Sequence, residues 1–268
     1  MADLGEVRRL RILDLVQRRG SVRVSELSDL FHVTPETIRR EINRLAREGR
    51  LSRVHGGAVP AGDEVPFQLR AGSQRDEKNA IAVAAARLVD DGDIIALDAS
   101  TTALALANEL VARRPNALVV VTNGAELPLR LGGTPDISVL SLGGTLRWRS
   151  RSYVGPLALR ALENYRVRKA FISCQGFSRE WGPSESSEAE AEVKAAMVRA
   201  ADEVVLLVDH TKWGHNALVP ICGLGPITRI VTDQPPPPHE RQALNLDDVR
   251  LDVADCAALA PAGGHLSS

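Results

Sequence analysis

Aromatic residues are few: Phe, Trp and Tyr make up 3% of the 268 residues, while 44% of the chain is hydrophobic. A sizeable core is expected, built from aliphatic side chains. Cysteine is scarce. Cys174, Cys222 and Cys256 lie far apart, with neither metal nor redox spacing, which excludes a disulfide framework or a zinc ribbon. Free buried thiols suit a reducing cytosol, so a cytoplasmic location is expected. No signal peptide is legible, and no run of 18 apolar residues suggests a membrane span. Lysine is missing from residues 1–60, which hold 12 Arg against 8 Asp and Glu. That stretch is net +4 in a chain of formal charge −1, leaving −5 for the remainder. The total charge argues against a nucleic-acid protein. The distribution argues for a basic head on an acidic body, and the length admits one very large or two domains.

The most informative stretch is Thr34-Pro35-Glu36-Thr37-Ile38-Arg39-Arg40-Glu41-Ile42-Asn43-Arg44-Leu45. Thr34 can cap a helix through its hydroxyl, and Pro35 fits the first helical position, where no amide donor is needed. Gly49 supplies the stop. Ile38, Ile42 and Leu45 share one buried face, with Glu36, Arg40, Asn43 and Arg47 opposite and Thr37, Arg39 and Arg44 flanking. A small helix with an aliphatic back and an arginine-rich front suits the major groove, where guanidinium forks onto guanine or phosphate. Alone, it reads equally well as an amphipathic helix with a solvated face.

Its surroundings shift that balance. Val7, Leu10, Leu13 and Val16 mark a first helix over about 6–19, ended by Gly20. Val22-Arg23-Val24 is extended, and a second helix runs over about 25–31. The turn His32-Val33 makes a helix-turn-helix, with His32 or a neighbour at positive φ. Residues 50–59 alternate as a strand with a Gly56-Gly57 turn. They read as a wing placing Arg53 and His55 near DNA, or as a plain connector. Residues 61–77 form a linker broken by Pro66 and Gly72. There Phe67 and Arg70 either dock the head or belong to a loose tether.

From residue 78 the pattern becomes alternating strands and amphipathic helices, the mark of a mostly parallel α/β sheet covered on both faces. Strands are expected over about 94–97, 117–121, 137–142, 169–174, 204–208 and 227–232. Helices are expected over about 81–89, 102–113, 156–164 and 188–201. Pro235–Pro238 is expected to end the ordered run, with 250–254 a candidate edge strand and 256–268 a disordered tail. Ligands of such sheets bind beyond the carboxyl ends of the strands. Those ends carry Asp98, Ser100, Thr101 and Thr102; Thr122 and Asn123; Gly143 and Gly144; Gln175 and Gly176; and Asp209 and Lys212. The hydroxyls opening the helix after Asp98 suit a phosphate. Lys194 is a further candidate, although Glu190 four residues before it also reads as its surface ion-pair partner. Trp148, Arg149, Arg151, Tyr153 and Trp181 could add stacking or anionic contacts, with surface exposure the default for each.

The run VTPETIRREINRLAREGRLSRVHGGAV resembles the head of DeoR-type bacterial transcriptional regulators. The body resembles that family's sensor half through Asp98 with Ser100-Thr101-Thr102, Thr122-Asn123, Gly143-Gly144-Thr145, Glu188 to Lys194, and Asp209 with Lys212 and Gly214. The resemblance spans roughly residues 6–233. It implies a winged helix-turn-helix over 1–60, a linker over 61–77, and a sensor domain over 78–255 with a fold like ribose-5-phosphate isomerase. It also implies a repressor of a carbohydrate operon, binding double-stranded operator DNA as a homodimer or larger homo-oligomer, without cofactor or metal. A phosphorylated sugar or related metabolite would release the DNA. Two departures bear on that ligand. Ser100 stands where the family usually has Gly, and Ser173-Cys174-Gln175-Gly176 replaces the common Gly-Ala-Asp-Gly, exchanging a carboxylate for neutral Gln175. An isomerase-like enzyme with a DNA-binding head, and an activator, are the alternatives. No motif sets a general base against an electrophile, so an enzyme is not expected.

Overall fold

The chain folds into two compact units, residues 1–73 and 74–268. The computed structural model describes residues 4–19, 22–48, 50–54, 56–60, 65–246 and 248–254. The expected stops at Gly20 and Gly49, the linker residues 61–64, His55, Cys256 and the tail 256–268 lie outside the described residues.

In the first unit, α1 (Leu4–Arg19), β1 (Val22–Arg23), α2 (Val24–Phe31), α3 (Pro35–Arg47), β2 (Leu51–Val54), β3 (Gly57–Pro60) and α4 (Phe67–Ala71) follow in order. Ile12, Val16, Leu27, Ile38, Ile42 and Leu45 pack the helices together with Val22 and Leu51 of the small sheet. The turn between α2 and α3 is tight because His32 adopts the left-handed conformation (φ 52°). The sheet is antiparallel in the order β1-β3-β2, so the wing is a true hairpin. Gly57 permits the pairing: a Cβ there would stand 2.0 Å from the Val22 carbonyl oxygen. Phe67 of α4 is buried, with the Arg70 guanidinium 5.8 Å from its ring centroid.

In the second unit, α5 (Arg75–Ala86), β4 (Ile94–Leu97), α6 (Thr101–Arg113), β5 (Leu118–Thr122), α7 (Glu126–Leu131) and β6 (Ile137–Ser141) come first. A hairpin, β7 (Thr145–Arg147) and β8 (Ser152–Val154), leads to α8 (Pro156–Glu163) and β9 (Val167–Ser173). Then follow β10 (Gly176–Ser178), β11 (Gly182–Glu185), α9 (Glu188–Ala200), β12 (Ala201–Val208), β13 (Val219–Pro220), β14 (Arg229–Thr232), α10 (Pro238–Leu246) and β15 (Arg250–Val253). Seven strands pair in parallel in the order β15-β14-β12-β9-β4-β5-β6. One aliphatic cluster lies on each face, as near-continuous apolar strands require. The chain winds from β4 outward to β6, then returns to β9 on the other side of β4 and winds outward to β15. The winding reverses between β4 and β9, the kind of position beyond which ligands of such sheets bind.

Several elements differ from the sequence expectation. Helix α5 starts at Arg75, before its apolar stripe begins at Ala80. The short α7, the β7–β8 hairpin and the small β10-β11-β13 sheet are too brief to show a period. Pro235–Pro238 does not end the ordered chain: Pro238 opens α10, where a missing amide proton costs nothing, and β15 then adds an edge strand. No described helix is long and apolar enough to cross a membrane.

Candidate DNA-reading face and effector site

Helix α3 begins as its sequence dictates. The Thr34 backbone is extended, and its hydroxyl accepts from the Thr37 amide at 3.2 Å. The aliphatic back is buried, and the side chains of Arg39 and Arg40 are 60% and 79% exposed. Glu36 stands between them, 3.5 Å from Arg39 and 3.4 Å from Arg40. Exposed pairs of this kind are worth only a few tenths of a kcal/mol, so a phosphate or a base edge can displace the carboxylate. Arg44 is likewise exposed, 3.1 Å from Glu48. Asn43 departs from the expected open front: it is half-buried, its Oδ1 has no partner among the described residues, and its carbonyl receives Arg47 Nε at 3.4 Å. Glu41 faces inward and takes two hydrogen bonds from Arg8 of α1, at 2.8 and 2.6 Å. That bidentate grip locks the pitch of α3 against α1. Arg53 is exposed on β2 of the wing.

At the β4–β9 reversal, Asp98 is fully buried and each carboxylate oxygen is taken. Oδ1 accepts from the Ser100 amide at 3.0 Å, and Oδ2 from the Ser173 amide at 2.8 Å. Asp98 thus ties the end of β4 to the end of β9 and shapes the loop into α6. Ser100 caps α6 through the Ala103 amide at 3.0 Å, leaving Thr101 and Thr102 in its first turn. Ser100 therefore has a structural task at the position where the resembled family usually has glycine.

Lys194 lies on the buried face of α9. Its ammonium is 2.9 Å from Asp98 Oδ2, 2.5 Å from Glu185 Oε1 and 2.7 Å from the Ser173 carbonyl oxygen. Burial alone would lower its pKa, but the carboxylates of Asp98 and Glu185 reverse this and hold it well above the ordinary lysine value. A surface pair between Lys194 and Glu190 is not what forms. Glu190 is also buried and accepts from Arg147 at 2.9 Å and from the Ser152 hydroxyl, anchoring the β7–β8 hairpin to α9. Both side chains point into the unit because this face of α9 packs inward.

The remaining strand ends flank this centre. Thr122 Oγ1 accepts from the Gly124 amide at 2.9 Å. Asn123 is fully buried, donates Nδ2 to the Tyr153 carbonyl at 3.2 Å, and leaves Oδ1 without a partner among the described residues. Gly143 and Gly144 both have positive φ where β6 turns into the hairpin. Cys174 is buried, and burial pushes its thiol up to about 12, with Lys194 opposing and Glu185 adding to the shift. Gln175 is half-buried, and its amide donates to Ser184 on β11 at 2.9 Å. Gly176 follows at the start of β10, where a Cβ would stand 2.4 Å from the His215 carbonyl oxygen. Beyond β12, Asp209 caps a 3-10 turn through the Thr211 amide at 3.0 Å. Lys212 ends that turn half-buried, with no carboxylate in ion-pair range among the described residues. Next to it, Asp233 grips His210 at both its amide and its ring Nδ1, each at 2.6 Å, and Glu77 lies close by.

Of the expected contact residues outside the strand ends, Trp148 is 70% exposed and stacks on Arg151 at 4.7 Å, while Arg151 pairs with Glu126. They line a cavity of about 360 Å³ with Leu129, Leu146 and Tyr153. Trp181 is exposed and Arg149 half-buried. The sequence reading missed Glu185 and Arg147. Glu185 sits on a short strand without periodicity, and the antiparallel pairing of β11 with β10 and β13 sets it beside Lys194.

Two family profiles match: the DeoR-like helix-turn-helix domain over residues 8–62 and the DeoR C terminal sensor domain over 73–234. The HTH-type transcriptional regulator YulB of Bacillus subtilis is 42% identical over 248 residues, covering 91% of this chain and 95% of that one. The glycerol-3-phosphate regulon repressor of Escherichia coli is 31% identical over 244 residues, 90% of this chain and 96% of that one. The transcriptional repressor CsqR of Escherichia coli is 33% identical over 249 residues, 92% and 95% of the two chains. Ribose 5-phosphate isomerase A of Methanocaldococcus jannaschii overlays 53% of this chain and 55% of its own, at 21% identity and a TM-score of 0.40. With both domains and nearly the whole chain matched, the protein belongs to the DeoR family of DNA-binding transcriptional regulators rather than to an enzyme family.

Proposed function

We propose that the protein is a repressor of a carbohydrate-metabolism operon, released from its operator by a phosphorylated sugar or a related metabolite. In this reading residues 1–60 are the DNA-binding domain, 61–77 the linker and 78–255 the sensor. Glu36, Thr37, Arg39, Arg40 and Arg44 of α3, with Thr34 at its cap, face the major groove; Asn43 stands half-buried at the edge of that face, and Arg53 and His55 of the wing reach the DNA backbone or minor groove. A homodimer presents two such helices to paired half-sites. The effector lies across the β4–β9 reversal. Its phosphate meets the opening amides and hydroxyls of α6 at Ser100, Thr101 and Thr102, with Lys212 as the cation. Asp98, Thr122, Asn123, Gly143, Gly144, Gln175, Gly176, Lys194 and Asp209 shape the surrounding strand ends. Release requires that the effector bind the DNA-free arrangement more tightly than the DNA-bound one.

The observation that carries this reading is the coincidence of three features: the reversal of the sheet, a 13-residue helix opening there on Thr101 and Thr102, and a lysine beyond β12 with no carboxylate in ion-pair range among the described residues. The Escherichia coli relative named for the glycerol-3-phosphate regulon supports a phosphorylated effector. Thermal unfolding against sugars and their phosphates tests it. A ligand at 100 times its dissociation constant should stabilise the native state by about 2.7 kcal/mol. Shifts from phosphorylated sugars alone support the reading; shifts from unphosphorylated compounds alone refute the phosphate assignment.

A further inference from the structure

At the ends of β4 and β9 one ammonium is shared between two carboxylates. Asp98, Glu185 and Lys194 are each at least 95% buried, and the single ammonium serves both carboxylates. Asp98 has both oxygens occupied by backbone amides in addition to Lys194. Glu185 differs: Lys194 reaches only Oε1, and Oε2, with no hydrogen bond among the described residues, is not one of their buried unpartnered atoms and so keeps an open side. An acceptor left open on one side can take a donor from a ligand without displacing a protein partner. Cys174, next to the triad, cannot serve, because burial keeps it a weak thiol donor. Gln175, at the neighbouring strand end, is neutral, so the carboxylate of this part of the site comes from β11 instead.

We infer that Glu185 is a specificity-determining residue of the effector site, accepting through Oε2 a hydrogen bond from a hydroxyl or amine on the effector's carbon skeleton. This deepens the proposed function and rests on its phosphorylated effector. The two ends of the ligand are read by opposite chemistry. The phosphate is held by α6 and Lys212, and kept from Glu185 by like charge. The polyol or amino end is held by the carboxylate, linked to the phosphate loop through Lys194, Asp98 and the Ser100 amide. Compounds lacking the donor leave Glu185 unpaired and bind weakly.

The test uses the full-length protein and matched probes: ribose 5-phosphate against 2-deoxyribose 5-phosphate, glucose 6-phosphate and glucosamine 6-phosphate against 2-deoxyglucose 6-phosphate, and inorganic phosphate. Dissociation constants are measured for wild type and Glu185→Gln. A hydrogen bond to a charged group corresponds to about 10- to 100-fold in affinity. Wild type should show a preference of that size for the donor-bearing member of at least one pair. Glu185→Gln should lose the preference while keeping its affinity for inorganic phosphate. A residue needed only to hold Lys194 would change the melting temperature of the free protein and leave the preference intact. If the glutamine variant does not fold, Glu185→Asp, which keeps the charge and draws the oxygens back by one methylene, carries the same comparison. Equal preferences in wild type and variant, or none in wild type, overturn the role of Glu185 and leave the phosphate reading standing. No binding of any phosphate compound overturns both.

Discussion

Replacing Lys194 by methionine removes the one ammonium that serves Asp98 and Glu185 and keeps most of its volume. Its side chain is 5% exposed, and its Nζ lies 2.9 and 2.5 Å from the two carboxylates and 2.7 Å from the Ser173 carbonyl oxygen. Methionine packs where the alkyl stem packed, so little apolar contact is lost. The dominant effect is two buried carboxylates without a cation, and breaking one side of a buried pair costs about 3–5 kcal/mol. For a unit of this size each kcal/mol lowers the midpoint by about 2–4 °C, so the variant should melt about 6–20 °C below wild type. All three tryptophans, Trp148, Trp181 and Trp213, belong to the second unit, so intrinsic fluorescence follows its unfolding alone. Adding Glu185→Gln to Lys194→Met removes one uncompensated charge and should recover part of the loss. A single variant within about 1 kcal/mol of wild type would refute the buried triad. So would a double variant less stable than the single one.

Arg40→Ala should weaken operator binding by about 1–3 kcal/mol and relax selectivity at one base position, measured by titration against single-base operator variants; unchanged binding and selectivity would remove Arg40 from the reading face. The thiol of Cys174 is pushed from 9.0 to about 12 by burial, so the folded state keeps a proton that the unfolded state releases. Its contribution to stability is complete below pH 9 and is lost as pH rises from 9 towards 12. Cys174→Ala should flatten that part of the fluorescence-monitored stability profile, and an unaltered slope would contradict the burial argument. Native Cys174 should also resist alkylation at pH 8, a prediction checked by mass spectrometry of labelled peptides.

Much of this protein is written locally. The cap at Thr34, the proline at Pro35 and the spacing of Ile38, Ile42 and Leu45 define the α3 helix without help from the rest of the chain, because capping and amphipathic period act within a few residues. The apolar strands, with the hydroxyls of Ser100–Thr102 following one of them, identify a parallel sheet and a candidate site at its carboxyl ends for the same reason. Other features depended on contacts far apart in sequence. Glu190 and Lys194 read as an exposed i, i+4 pair, yet α9 turns both inward and hands them to Arg147 and Asp98. Glu185 carries no pattern on the four-residue β11, and the pairing of that strand with β10 and β13 sets it beside Lys194. Local sequence sets which backbone an element adopts. Which buried charges meet is decided by packing, since desolvation makes each ionised group take the nearest partner that the tertiary fold supplies.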